Sequence, residues 1–280
     1  MHTRILLIGA QGQLGRALSE ILPADALRWG RSELDLMRQD EVYDTLLDVR
    51  PDIVINTAGI TDVDRCEVQR DEALAVNALA PAAMARACKA TGGVCVQIST
   101  DYVFGKDKGR VKPYVESDDT GTVNYYGETK FQGEKGVREA DGQYLIVRVC
   151  GLYGGKRNKP SYVERVIEQA RQGSAVRIRF DQVYSPTYVR ELAPALWRLI
   201  QENMRGTIHL VNWGPVSRCE FTQAIVEMVD ASVSIKVEEG DNQSFVPRPS
   251  FSALASERIV LEDYMIDWRE ALKNYIKSLP

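Results

Sequence analysis

Tyr126 and Lys130, in the stretch Asn124-Tyr125-Tyr126-Gly127-Glu128-Thr129-Lys130, have the types and spacing for proton chemistry. If this stretch opens a helix, the two stand four apart on one face, with Cβ atoms roughly 5–6 Å apart. An ammonium at that range favours the phenolate, so a phenol whose ordinary pKa is about 10 becomes a usable acid near neutral pH. A lowering of about three units corresponds to roughly 4 kcal/mol between the two protonation states. Ser99-Thr100-Asp101-Tyr102, upstream, offers a hydroxyl to join the pair. With 12 Tyr and 35 Lys+Arg in the chain, Tyr-x-x-x-Lys carries little weight alone. Its meaning depends on the elements that must position it.

The chain has only two histidines, His2 and His209, the second inside an apparent strand, so a Ser-His-Asp triad or a His-ligated zinc site is hard to build. Proton transfer falls to other side chains, and no metal site is expected. Five cysteines, an odd number without Cys-x-x-Cys spacing, read as reduced core thiols of a cytoplasmic protein. The formal charge of -4 and scattered Lys and Arg argue against a nucleic-acid partner or a polybasic membrane patch. The first apolar run is too short for a signal peptide, and no stretch approaches the ~20 apolar residues of a membrane span.

A short apolar run, Arg4 to Ile8, leads into Gly9-Ala10-Gln11-Gly12-Gln13-Leu14-Gly15 and then a helical pattern from Arg16 to Leu22. Strand, glycine turn and helix together describe a dinucleotide cradle. Gly9 makes the tight turn, Gly12 admits a pyrophosphate, and Gly15 lets the helix pack on the sheet, with Gln11, Gln13 and Leu14 as further cofactor contacts. The helix N-terminus adds amide donors and the positive end of a dipole. A second strand ends near Leu27-Arg28-Trp29, and its tip carries Gly30, Arg31 and Ser32, the nearest carboxylate being Glu33. Arg31 and Ser32 at this tip favour a 2′-phosphate, and so NADPH, with NADH possible.

A third strand, Asp52 to Asn56, is followed by small residues Ala58 and Gly59 where backbone would lie near a cofactor. Glu67 to Ala90 reads as one long helix carrying Asn77 as an isolated polar residue, and Gly92-Gly93 ends it. A fourth strand, Val94 to Ile98, delivers Ser99, Thr100 and Asp101 at its carboxyl end, where open α/β sheets bind ligands. Residues 104–123 form a long polar loop that could lie over the substrate as a lid. A helix from Asn124, as cap, to Glu139 and a strand from Tyr144 to Arg148 complete an alternation that predicts an α/β fold with a doubly wound parallel (Rossmann) sheet in residues 1–150.

Beyond Arg148 the pattern predicts a helix over Ser161–Gln172 and a strand over Ser174–Arg179. It continues with a helix over Tyr188–Glu202, a strand over Thr207–Val211, and a helix from the capping box Ser217…Glu220 to about Val229. A strand over Val233–Val237 and a closing helix over Asp267–Ser278 follow. Residues 151–280 are expected to be a smaller substrate-binding region whose segments return to the main sheet.

Taken in order, the glycine turn, Ser99-Thr100-Asp101-Tyr102-Val103-Phe104, and Tyr126 with Lys130 resemble the extended short-chain dehydrogenase/reductases. Asn77 after a valine, Asp181-Gln182 with Pro186-Thr187, and Arg248-Pro249 are most similar to the dTDP-4-dehydrorhamnose reductase family. The resemblance implies NADPH-dependent reduction of the 4-keto group of a dTDP-linked deoxy sugar in polysaccharide biosynthesis. Tyr126 would give its proton to the ketone oxygen, Lys130 would lower the Tyr126 pKa and bind the nicotinamide ribose, and Thr100 would orient the ketone or phenol. It also implies cofactor contacts at Asn77 and Ser99, substrate contacts at Asp101, Tyr102, Val103, Gln182 and Arg248, and a possible homodimer. Three positions depart from the family pattern. Gly151 stands where a sugar-contacting Trp is usual, Tyr184 stands where a Gly is usual, and Ser250-Phe251-Ser252-Ala253-Leu254-Ala255 lacks the usual Asn and Asp. Two further readings are a sugar-nucleotide epimerase or dehydratase of the same superfamily, and a non-catalytic nucleotide-binding subunit resembling the methionine adenosyltransferase beta subunit. Dehydratases commonly carry added carboxylates beside the threonine, where this chain has Asp101 and then Tyr102.

Overall fold

The computed structural model describes residues 3–155, 160–178, 182–229, 231–237 and 246–279. Strand β1 (Ile5–Ile8) is buried at every position, as a parallel strand covered on both faces must be. Helix α1 (Gln13–Ile21), strand β2 (Leu27–Trp29), helix α2 (Gln39–Val49) and strand β3 (Ile53–Asn56) follow. Residues 39–49, given no element in the sequence reading, form α2 with only Val42 and Leu46 buried.

The expected single helix over 67–90 is instead four pieces. Helix α3 (Val63–Val68) and α4 (Arg70–Leu74) meet at Gln69, and a π-helical turn over Ala75–Leu79 precedes α5 (Ala80–Thr91). Gln69 has φ −106° and ψ 60°, outside the helical region, which divides the first two. Gly92 caps α5 at φ 79°.

Strand β4 (Val94–Thr100) runs on through a 3₁₀ turn at Asp101–Val103, and helix α6 (Tyr125–Glu139) leads to β5 (Gln143–Val149). Asn124 accepts a hydrogen bond from Gly127 N at 2.9 Å and so caps α6. The remaining elements are β6 (Leu152–Tyr153), α7 (Tyr162–Arg171), β7 (Val176–Ile178), β8 (Val183–Tyr184), β9 (Thr187–Tyr188), α8 (Val189–Gln201), β10 (Gly206–His209), β11 (Val216–Ser217), α9 (Arg218–Met228), β12 (Ile235–Val237) and α10 (Trp268–Lys277). Ser161 and Ser217 each open their helix with a full capping box.

Six strands form one parallel sheet in the order β10-β5-β4-β3-β1-β2. The chain leaves β1 toward β2 on one side and returns to β3 on the other, which opens a crevice at the carboxyl ends of β1 and β3. Helices cover both faces: α1 packs on α8, and α2 and α6 flank α5. Two apolar cores separate accordingly, one under α1 and α8, the other under α2 and α5. The sheet is therefore a doubly wound Rossmann arrangement. β10 extends it beyond β5, whereas β7 pairs with β12, β8 with β11 and β6 with β9 outside it.

Candidate active site

The crevice begins at Gly9, held at φ +81°. A Cβ there would lie 2.7 Å from Ala58 N, and one at Gly15 would lie 2.1 Å from Gly9 O, so the turn packs against both the helix and β3's exit with no room for side chains. Gly12 caps α1 without a side-chain hydrogen bond. A cavity of about 160 Å³ adjoins the turn, lined by Gly9, Gly30, Arg31, Leu36, Ala58 and Gly59 among others. A Cβ at Gly30 would meet the Gln11 side-chain amide at 2.5 Å, so Gln11 packs directly over the Gly30 backbone at this wall. A glycine turn opening on the N-terminus of α1, with this cavity beside it, is the chemistry that receives a dinucleotide's phosphates, and the residues present fit such a cofactor.

Helix α6 reaches the other end of the crevice because its glycines permit it. A Cβ at Gly133 would stand 2.2 Å from Asn77 O in the π-helical turn, and one at Gly127 would stand 2.2 Å from Tyr102 O. Asn77 donates to Ile60 O at 3.0 Å and to Thr129 Oγ1 at 3.2 Å, and accepts from Ile60 N at 2.9 Å. The π turn thus ties the segment after β3 to α6, a use such turns often serve at functional sites.

This contact sets Tyr126 and Lys130 beside Thr100, all three buried. Lys130 Nζ donates to Ile98 O at 2.6 Å and lies 3.8 Å from where a Cβ at Gly59 would be. Burial draws the Lys130 ammonium down to about 8, opposed by the Glu134 carboxylate one turn on. The phenol moves the other way from the sequence expectation. Burial pushes Tyr126 above its ordinary value, while the Thr100 side chain, as a hydrogen-bond partner, works to lower it. Burial is the larger effect here, so the expected net lowering does not occur.

Thr100 Oγ1 donates to Asp101 Oδ1 at 3.1 Å and accepts from Tyr102 N at 3.2 Å. Asp101 Oδ2 accepts from Ser252 Oγ at 2.6 Å, and Ser252 Oγ accepts from Gln182 Nε2 at 2.8 Å. Burial lifts the Asp101 carboxyl to about 6, against hydrogen bonds from Ser252, Cys150 and Thr100. Behind Ser99, Glu134 accepts from Ser99 Oγ at 2.6 Å and from Arg148 at 2.8 and 2.9 Å. Burial alone would raise Glu134, but the Arg148 guanidinium outweighs it and holds the carboxylate below its ordinary value.

Residues 3–280 match the family model described as RmlD substrate binding domain. The chain belongs to this family. It is 34% identical to a dTDP-4-dehydrorhamnose reductase of Mycolicibacterium smegmatis, across 100% of this chain and 86% of that protein. The spore coat polysaccharide biosynthesis protein SpsK of Bacillus subtilis is also 34% identical, over 99% and 98% of the two chains. The crystal structure of dTDP-4-dehydrorhamnose reductase from Bacillus anthracis in complex with NADP superposes with a TM-score of 0.90 at 31% identity, covering 100% of both chains.

Within this RmlD-type framework the structure places several expected site residues elsewhere. Val103 is fully buried in the main core, so its side chain is no substrate contact. Leu14 likewise packs its side chain in that core. Gln13 Nε2 reaches across to Gly154 O at 2.5 Å; Arg31 lines the cavity and is exposed, and Ser32 is exposed and donates to Glu33. Gln182 is buried and joins the site through Ser252, while Arg248 pairs with Asp64 at 2.8 Å. Asp181 lies outside the described residues. The loop over 104–123 is fastened rather than free: Tyr114 pairs with 253–255, and Glu116 accepts from His209 N and Ser256. Ser252 and Cys150 are site residues that sequence reasoning missed, and neither carried a signal; Gly30, read as part of the second strand's tip, lines the cavity.

Proposed function

We propose that this RmlD-family chain is an NADPH-dependent reductase of the 4-keto group of a dTDP-linked deoxy sugar. One observation carries the reading: α6 brings the buried Tyr126 and Lys130 to Thr100 at the carboxyl end of β4, beside the glycine cradle after β1. Relatives named dTDP-4-dehydrorhamnose reductase align over the full chain, and one is known in complex with NADP.

The cradle of Gly9, Gly12 and Gly15 would hold the pyrophosphate, Arg31 and Ser32 the 2′-phosphate, and Lys130 the nicotinamide ribose. When bound, NADPH supplies a hydride to the carbonyl carbon. Tyr126 keeps its proton at neutral pH, because burial disfavours the phenolate, and gives it to the ketone oxygen. Carbonyl carbon and oxygen thereby gain one hydride and one proton, and the product is the C4 alcohol. Thr100 orients the reacting oxygens, and Asp101 fixes the Thr100 hydroxyl. Residues 1–150 would bind the dinucleotide and 151–280 the sugar, with Tyr102 and Arg248 nearest the sugar nucleotide. Five thiols, none in a disulfide, suit a reducing, cytoplasmic compartment.

The test is NADPH oxidation measured against a panel of dTDP-4-keto sugars. One NADPH consumed per sugar reduced supports the proposal; NADPH binding without turnover of any sugar refutes it and favours a binding subunit.

A further inference from the structure

Ser99, Arg148 and His209 stand at one register on three adjacent parallel strands, Ser99 of β4 beside Arg148 of β5, and Arg148 beside His209 of β10. Neighbours at one register point to the same face, so the three side chains form a row near the carboxyl edge of the sheet. Glu134 of α6 meets that row, one turn beyond Lys130.

All three nitrogens of the Arg148 guanidinium are engaged. Nε and Nη2 donate to Glu134 as a fork at 2.9 and 2.8 Å, and Nη1 lies 3.3 Å from His209 Nε2. Arginine can only donate, so Nε2 of the imidazole must accept. The other ring nitrogen, Nδ1, faces two carbonyls, Ala255 O at 2.8 Å and Tyr114 O at 3.1 Å, so it must carry the proton. His209 is therefore the neutral Nδ1–H tautomer. The side chain is fully buried, and burial holds the ring below its ordinary pKa, against the pull of the Glu116 carboxylate and with the help of the Arg148 charge.

The two nitrogens act on opposite sides of the reaction centre. Through Nε2 the ring orients Arg148, whose fork fixes Glu134 on the helix of Tyr126 and Lys130. Glu134 in turn accepts from Ser99 Oγ at 2.6 Å, next to Thr100. Through Nδ1 the ring holds Ala255, in the same segment as Ser252, which donates to Asp101 Oδ2 at 2.6 Å, and Asp101 holds the Thr100 hydroxyl. Tyr114 O, the second acceptor, belongs to the segment that joins Asp101 to the cap of α6. Phe104 stacks on Tyr114 at 4.2 Å and meets the imidazole edge-on at 5.7 Å, so the ring cannot turn without disturbing both arms.

We propose that His209, as the neutral Nδ1–H imidazole, is a positioning residue for the reduction: its two nitrogens hold the Arg148–Glu134 pair and the Ser252 segment at one spacing, and so set Thr100 against Tyr126 and Lys130. The inference rests on the reductase reading. Loss of this spacing acts on the chemical step rather than on cofactor binding, because the glycine cradle after β1 lies on other elements.

Two variants separate the nitrogens. His209→Gln leaves an acceptor where Nε2 stands and loses the donor, whereas His209→Asn leaves a donor where Nδ1 stands and loses the acceptor. Each is assayed with NADPH and the dTDP-4-keto sugar that the wild type reduces fastest, at a temperature below its own melting transition. Each should lower kcat about tenfold or more with NADPH affinity unchanged, a split that a merely structural role would not produce in the folded protein. A kcat retained by either variant overturns the inference and leaves the reductase reading intact. Absence of turnover in the wild type sinks the reductase reading and the inference with it. Should both variants unfold, the tautomer decides. In ¹⁵N-histidine-labelled His2→Ala protein, where His209 is the one histidine left, NMR at pH 7 should show a protonated Nδ1 and a bare Nε2. A protonated Nε2, alone or in the imidazolium, overturns the assignment.

Discussion

Lys130 holds the Ile98 carbonyl at 2.6 Å from its Nζ, four residues along α6 from Tyr126. The ammonium is thereby fixed at the end of β4, in a site that lowers it from 10.5 to about 8 through burial. Free-enzyme activity should therefore fall as pH rises through about 8, where the ammonium loses its proton. The stability sign is opposite. Below about 8 the full desolvation cost, on the order of 3 kcal/mol, is present in the ligand-free protein, and it fades as pH rises toward 10.5. Lys130→Met should abolish turnover yet raise the melting temperature, more at pH 7 than at pH 10. A kcat/KM profile flat to pH 10 would contradict this.

Asp101 titrates near 6 because burial outweighs its hydrogen bonds. Relative to an unfolded carboxyl near 3.8, its contribution to stability is fully present below that value and is lost as pH rises through about 6. Once protonated it no longer accepts from both Thr100 and Ser252, so an acid limb near pH 6 is expected in kcat/KM. Asp101→Asn should remove that limb and lower kcat about tenfold at pH 8; a limb that persists would assign it to another group.

The seating of α6 depends on Gly133. A methyl there would sit 2.2 Å from the backbone oxygen of Asn77, which no side-chain rotation can relieve. Gly133→Ala should cost about 1–3 kcal/mol, as overpacking does, and should lower kcat at least tenfold by moving Tyr126 and Lys130 together. Chemical denaturation and steady-state kinetics on one preparation check both effects, and an unaffected kcat would show that the contact does not set the catalytic geometry.

Much of this was legible in the chain. Strands β1, β3, β4 and β5 are buried on both faces, so they read as continuous apolar runs, and Asn124 announces α6 as a cap. Helix α2 was silent because Val42 and Leu46 are its only buried residues. The π turn was illegible since one extra residue per turn leaves no trace in composition, yet it determines how closely α6 approaches. Tyr126, Lys130 and Thr100 were found by spacing and strand-end position. Ser252 was not readable as the partner of Asp101, nor as its link to Gln182, because packing joins positions 151 and 70 residues apart. Gly151 and Tyr184 stood out separately as departures from the family pattern; their contact appears only in three dimensions.

Arg31 stands exposed at the rim of the cavity after β2. If it meets a 2′-phosphate, Arg31→Ala should weaken NADPH about tenfold, roughly 1.4 kcal/mol, and leave NADH nearly unaffected. Titration of both nucleotides decides this, and equal weakening would remove Arg31 from the phosphate site.

The most direct test of the account follows the hydrogen itself. The enzyme is incubated with dTDP-4-keto sugar and NADPH deuterated on the transferred face, and the product is read by mass spectrometry and NMR. One deuterium at C4 of each product sugar is predicted, with Tyr126→Phe at least a hundredfold slower and its NADPH affinity unchanged. Product without deuterium at C4, or a Tyr126→Phe variant as fast as the wild type, would contradict it.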